Sequence, residues 1–293
     1  MVLLACAAPA ANRFPSRLPA LALFRTRSDR QKDHSPTMGR FATTVALYEE
    51  LRTPYPAAFF RSVAQQLALT KQHALIDLGT GPGLLALGFA PYVGRIVGVD
   101  PEPAMLAAAR KAAERAGQDL TLIAGKAEDL PDDIGRFDVV TIGRALHWMD
   151  RDLTLERLER LVAAEGVILV CSSISAQHGR NPWLEDYNAA RRAWSDEGLW
   201  SDSGSAGQTH RDLAGFFRGT RFQAGEVIKV ETSHEVSLHN LARRVMTFSS
   251  SSPGVLGDRA EAMVRNVEQR LFPFSRDGFI GEVVVAIAKV VRR

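Results

Sequence analysis

Three glycines crowded into LIDLGTGPG, residues 75–83, constrain this chain more than any other feature. A short apolar run enters the glycines and a second apolar stretch leaves them. Glycine accepts backbone conformations that other residues avoid, so the segment reads as a buried strand, a tight turn and the start of a helix. Such a turn presents the unpaired N–H groups of a helix start. It also places Asp77 at the end of a buried strand, where a carboxylate needs a partner because burying it alone is costly.

The flanking sequence repeats this unit. Strands are expected at 73–78, 95–100, 120–125, 137–143 and 166–173. Helices are expected from 84 to 93, from 103 to the glycine stop at Gly117, and from a cap at Asp152 to about 164, with Leu155, Leu158, Leu161 and Val162 on one face. Strands alternating with helices imply a parallel sheet covered on both faces, right-handed crossovers, and a ligand at the carboxyl ends of the strands. Before this block, helical stretches at 42–51 and 57–69 are separated by Thr53, Pro54, Tyr55 and Pro56. After it, residues 175–220 hold Trp183, Trp194, Trp200, a helix at 182–196 and a Ser/Gly-rich stretch at 201–207, and read as an inserted lid. Strands at 226–233 and 282–291 and helices at 237–248 and 257–271 complete the pattern. The expected fold is α/β: a doubly wound, seven-stranded, mostly parallel sheet with a helical N-terminal cover and a lid.

Composition excludes several function classes. Of 293 residues, 46% are apolar and 24% charged, enough to bury a core. The net charge of +3 is small, and much of it lies at the ends, in Arg13, Arg17, Arg25, Arg27, Arg30, Arg292 and Arg293. A nucleic-acid surface needs Lys and Arg clustered on one folded face, and none is visible. No run approaches the ~20 apolar residues of a membrane span. Of two cysteines, Cys6 and Cys171, one lies in the body of the chain, so a cytoplasmic, reducing setting is expected. No Cys or His spacing suggests a metal. Residues 1–37, with Pro9, Pro15 and Pro19, read as a disordered N-terminal extension with faint transit-peptide character, ahead of a domain at 38–293.

The glycines allow two cofactor classes. Gly81, Pro82, Gly83, Leu84, Leu85 and Ala86 fit G-x-G-x-x-A, and Asp100 ends the next strand about 20 residues later, where a ribose-binding acid belongs. An NAD(P)-dependent oxidoreductase is therefore one reading. Against it, Asp77 stands directly before the glycines, where it would repel a pyrophosphate and suit a cationic ligand.

The ordered set of motifs carries a resemblance. LIDLGTGPG (75–83), VGVDPEPAML (97–106), AGKAEDLP (124–131) and FDVVTIGRALHWMD (137–150) resemble the four motifs of class I S-adenosylmethionine (SAM)-dependent methyltransferases, with their Rossmann-like fold. The early segment Tyr48 to Pro56, the pair His147-Trp148 and the Ser-rich stretch 242–259 resemble the trans-aconitate methyltransferase-like branch of the methyltransferase type 11 group. The resemblance implies SAM as cofactor. Asp77, Gly79, Thr80, Gly81 and Gly83 would hold its methionine part and Asp100 its ribose. Met105, Ala127 and Glu128 would meet the adenine, with Gly143 bordering the site. Lys126 departs from the family, where an acid is common.

Methyl transfer is an in-line displacement that chiefly needs alignment and a dry cavity. His147 is the base candidate for acceptors that must lose a proton, and a pocket-wall histidine otherwise. Arg144 and Arg52 are candidates to grip an anionic acceptor. Tyr48, Tyr55 and Trp148 are candidates for an aromatic wall. Arg191 and Arg192 are expected to be solvated. The expected partner is a small-molecule substrate, with no nucleic acid or membrane, and the chain a monomer or homodimer. The competing reading is a SAM-binding regulator without activity.

Overall fold

The computed structural model describes residue 47 and residues 50–194, 213–248 and 251–293. The expectations for residues 1–37, Tyr48, Trp200 and the Ser/Gly-rich stretch lie outside the described residues. Seven strands form one sheet: β1 (Ala74–Leu78), β2 (Arg95–Asp100), β3 (Thr121–Ala124), β4 (Phe137–Gly143), β5 (Val162–Ser175), β6 (Gln223–Ser237) and β7 (Phe279–Arg292). Their spatial order is β3-β2-β1-β4-β5-β7-β6. β1 to β5 pair in parallel, whereas β7 runs antiparallel to both β5 and β6. The chain steps outward from β1 to β3 and then returns to β4. The loops after β1 and β4 therefore face each other across a switch point, where doubly wound sheets bind ligands.

Side chains alternate between the two faces. Leu75 and Val139 join Phe59, Phe60, Leu85, Phe89, Leu169 and Cys171 in one apolar layer. Ile76, Leu78, Val140 and Ile142 join Phe137, Leu155, Leu158 and Phe217 in the other. The helix Ala57–Gln66 lies in the first layer through Phe59, Phe60, Val63 and Ala64. Several expected boundaries shift. The helix after β4 spans Arg151–Leu161 and is capped by Asp150, whose carboxylate accepts the Leu153 amide at 3.0 Å, so Asp152 falls in its first turn. β5 begins earlier because Val162 pairs with Phe137. β6 and β7 run longer than their apolar cores because they pair with each other from the Gln223–Arg292 pair to the Ser237–Phe279 pair.

The segment after β5 does not act by itself. Trp183, Tyr187 and Ala190, on and just before the helix Leu184–Trp194, pack with Leu241, Ala242, Val245, Met263, Val264 and Val267 from the β6–β7 connection. An ion pair anchors this third apolar cluster to the sheet. Arg244 is 5% exposed and Glu282 of β7 1% exposed. Their side chains meet in a two-pronged contact at 2.7 and 2.8 Å. Arg244 Nε also donates to the Leu51 carbonyl at 2.7 Å, and Ser175 Oγ donates to Glu282 at 2.7 Å. Burial pushes the Glu282 carboxyl up, but the Arg244 bonds and charge, with the Ser175 hydroxyl, outweigh it and hold the carboxyl below the usual glutamate range.

Because that pKa is depressed, the stabilisation persists at neutral pH and is lost on acidification through the folded-state value. Glu282→Ala is expected to cost about 3–5 kcal/mol at neutral pH, since it leaves a buried guanidinium without its carboxylate. Urea unfolding measures this. Replacing both partners, Arg244→Met with Glu282→Leu, is expected to recover much of the loss.

Candidate cofactor and acceptor site

The loop after β1 is shaped by two carboxylates. Asp77 is 1% exposed and lies beside Thr141 in the parallel β1–β4 register. Thr141 Oγ1 donates to Asp77 Oδ1 at 2.6 Å, and Thr80 Oγ1 donates to Oδ2 at 2.8 Å. Burial nevertheless raises the Asp77 pKa from 3.8 to about 6, with the two hydroxyl bonds opposing and the nearby Asp100 charge adding to the rise. Asp100 accepts the Gly81 amide at 2.8 Å through Oδ2 and the Glu102 amide at 2.9 Å through Oδ1. Burial raises its pKa as well. Val99 O takes both the Gly79 and Thr80 amides at 2.9 Å, closing the turn onto β2.

Gly79, Gly81 and Gly83 have φ of 70°, 54° and 86°, in the left-handed region that glycine adopts readily. A Cβ on Gly79 would also collide with the Ala145 side chain in the loop after β4. The two switch-point loops thus touch through a position that has room only for hydrogen. Met105 is buried, its sulfur 3.9 Å from where a Gly81 Cβ would stand. Ala127 is buried in the apolar layer with Val99 and Leu130. The Glu128 carboxylate accepts the Asp150 amide at 2.8 Å, tying the β3 loop to the β4 loop.

The N-terminal cover closes on the strand ends from the opposite direction. At Gly143, a Cβ would clash with Leu85 and lie 3.6 Å from Tyr55 Oη, so the N-terminal cover reaches the end of β4. Arg144, at φ 59°, sends its guanidinium to the Thr53 carbonyl at 2.7 Å and the Ser173 carbonyl at 3.3 Å, and lies 4.9 Å from the Tyr55 ring centre. Ser173 Oγ donates to the Pro54 carbonyl at 2.5 Å. Arg144 therefore staples the cover to the strand ends. His147 is half-buried, its ring 4.8 Å from that of exposed Trp148. Arg52 donates to the Thr247 carbonyl at 2.6 Å and sits over the Phe248 ring at 4.6 Å.

One expectation is overturned. Arg191 is not solvated: its guanidinium stacks 3.6 Å from the Phe248 ring centre, and burial draws its pKa below the usual arginine value. The helix Leu184–Trp194 turns this residue inward beside Tyr187, while Arg192 is exposed as expected. Sequence reading also missed Thr141, although a hydroxyl in the apolar run FDVVTIG beside an aspartate strand was a usable signal. Tyr187, Arg244, Phe248 and Glu282 carried no local signal.

Residues 75–166 match the family model of a methyltransferase domain. Over these residues the chain is similar to SAM-dependent methyltransferases. This match sets aside the dinucleotide reading of Gly81 to Ala86. A ubiquinone biosynthesis O-methyltransferase of Azorhizobium caulinodans is 35% identical over 108 residues, covering 36% of this chain and 43% of that protein. The chain thus spans under half the length of this curated relative. A solved structure from Anaeromyxobacter dehalogenans shares the fold with a TM-score of 0.58 at 19% identity, covering 83% of this chain and 97% of that one. A SAM-dependent methyltransferase from Geobacter sulfurreducens, solved with S-adenosylhomocysteine (SAH), shares it at 0.50 and 16% identity, covering 86% and 98%.

The residues present fit SAM. The methyltransferase domain pairs a left-handed glycine turn with two buried carboxylates whose pKa values burial has raised, and a cationic ligand would relieve both. Among the described residues, no group of three His, Cys, Asp or Glu side chains could hold a metal ion, and no helix is long and apolar enough to cross a membrane.

The raised Asp77 pKa has a stability consequence. A carboxyl that holds its proton more tightly folded than unfolded contributes least when ionised, so stability falls as pH rises from about 4 to about 6. Asp77→Asn is expected to flatten that slope and to stabilise the ligand-free protein at pH 7 by at most ~3 kcal/mol, while weakening SAM binding. Thermal unfolding across pH and calorimetric titration measure the two effects.

Proposed function

We propose that this protein transfers the methyl group of SAM to a small-molecule acceptor that bears a carboxylate. The observation that carries the reading is the paired bracing of the glycine turn, by Asp77 through Thr80 and by Asp100 through the Gly81 amide. SAM supplies a methyl group already activated on a sulfonium. The Gly79–Gly83 turn and Asp77 would face its cationic end. Asp100 retains lone pairs beyond its two amide bonds with which to accept ribose hydroxyls. Met105 and the 127–128 turn would border the adenine.

The chain's own residues then align the acceptor and exclude water. Tyr55, held by Arg144 through Thr53, closes the site over Gly143, where reacting atoms are brought together without a solvent shell. His147 lines the wall and takes a proton only from acceptors that must lose one. Residues 175–220 serve as the lid of a domain at 38–293. The carboxylate assignment draws support from the resemblance to the trans-aconitate methyltransferase-like branch and from the arginines that border the acceptor side. A cytoplasmic location accords with the free, buried thiol of Cys171, the one cysteine among the described residues.

Calorimetric titration with SAM and SAH, on wild type and Asp100→Ala, is the first test. Binding that the substitution removes supports the cofactor site, and no binding to wild type overturns the reading. SAH release with a panel of carboxylic acids follows; binding without release from any acceptor would favour the regulator. With a carboxylate acceptor, His147→Phe is expected to leave kcat within about threefold. An acceptor that must be deprotonated would lose about 100-fold or more.

A further inference from the structure

Tyr187, on the helix Leu184–Trp194, is 4% exposed, and its hydroxyl has no hydrogen-bond partner among the described residues. A buried hydroxyl left unsatisfied is costly, and native proteins retain few of them. One edge of the ring meets Trp183 in a T-shaped contact at 5.8 Å. The charged groups acting on the hydroxyl are Arg191, Arg244, Arg52 and Glu282. Burial pushes its pKa up while the three guanidiniums pull it down.

These groups have different commitments. Glu282 is engaged by Arg244, Ser175 and, at 3.3 Å, His234. Arg52 donates to the Thr247 carbonyl, and Arg52 and Arg191 both stack on Phe248 with each feeling the other's charge. Two guanidiniums gathered on one ring beside an unsatisfied hydroxyl supply the donors that a planar oxyanion accepts.

We propose that Tyr187, Arg191 and Arg52 form a subsite for a second carboxylate of the acceptor, distant from the atom that receives the methyl group. The inference rests on the methyl-transfer reading and extends it. β5 sets the distance: Cys171 pairs with Gly143 at the transfer site, and Ser175, which bonds Glu282, lies four residues further along. At ~3.3 Å per residue Cys171 and Ser175 are about 13 Å apart, which scales the span a diacid and the side chains around it would have to bridge. Tyr187 would act as a specificity residue, its hydroxyl satisfied only when the anion is present.

The full-length protein would be titrated, with and without saturating SAH, with linear dicarboxylates of about four to twelve carbons and their dimethyl esters, the longest of which span the distance above. At least one diacid is expected to bind, and its diester to bind at least about tenfold more weakly. Arg191→Gln and Tyr187→Phe are each expected to weaken that diacid about tenfold while SAH affinity changes less than about twofold. Tyr187→Phe is also expected to raise the Tm of the ligand-free protein by about 2 °C, because it removes an unsatisfied buried hydroxyl. A hydroxyl with a merely structural role would lower the Tm on removal. Equal binding of diacid and diester, unchanged diacid binding in both variants, or no diacid binding at all would overturn the subsite. Failure of SAH to bind would count against methyl transfer, and the titrations without SAH would still decide the anion site.

Discussion

The site depends on a charge kept out of water. Asp77 sits at the end of a fully buried strand with hydroxyls on both oxygens, and it is still harder to ionise than an aspartate in water. Two hydroxyl bonds orient a buried carboxylate without fully replacing its hydration. The residual strain is what a positively charged ligand would relieve, so the same burial that lowers stability raises the reward for binding. Asp100 works alongside it, spending its oxygens on the amides that hold the turn open. The glycines supply the shape, but the two acids hold it.

A second buried charge organises the other half. The Arg244–Glu282 pair is bonded on several sides, with partners from the N-terminal cover, β5, β6, β7 and the β6–β7 connection. Its net contribution to stability is modest by comparison with an apolar replacement, as is usual for buried pairs. Its effect is positional: it fixes the third apolar cluster, and with it the helix that carries Tyr187 and Arg191, at the carboxyl ends of the strands. Arg144 does the same for the cover by bonding backbone carbonyls, a use of arginine that needs no anion.

The legible parts of this chain were those with local causes. Strands β1 to β5 announce themselves as apolar runs, the glycine turn by its composition, and the helix at 103–116 by its alanines and its Gly117 stop. Helix starts were less legible, because Asp150 and Asp152 are equally good caps and the choice falls to the loop that delivers the chain. Arg191 was misjudged for a related reason. A single arginine on an amphipathic helix is usually solvated, and only the Phe248 ring, more than fifty residues on, makes its inward position favourable.

Sequence by itself determined the layered α/β architecture and the glycine turn with its two acids, because each follows from periodicity or from residues adjacent in the chain. Tertiary structure alone decided which hydroxyls satisfy Asp77, that Gly79 must lack a side chain because Ala145 packs on it, and that Arg52, Arg191, Arg244 and Glu282 gather around Tyr187. Those five residues are spread over more than two hundred positions. Their convergence depends on the antiparallel β6–β7 pair and the packing of two separate insertions, and long-range pairing of this kind leaves no periodic trace in the residues that it brings together.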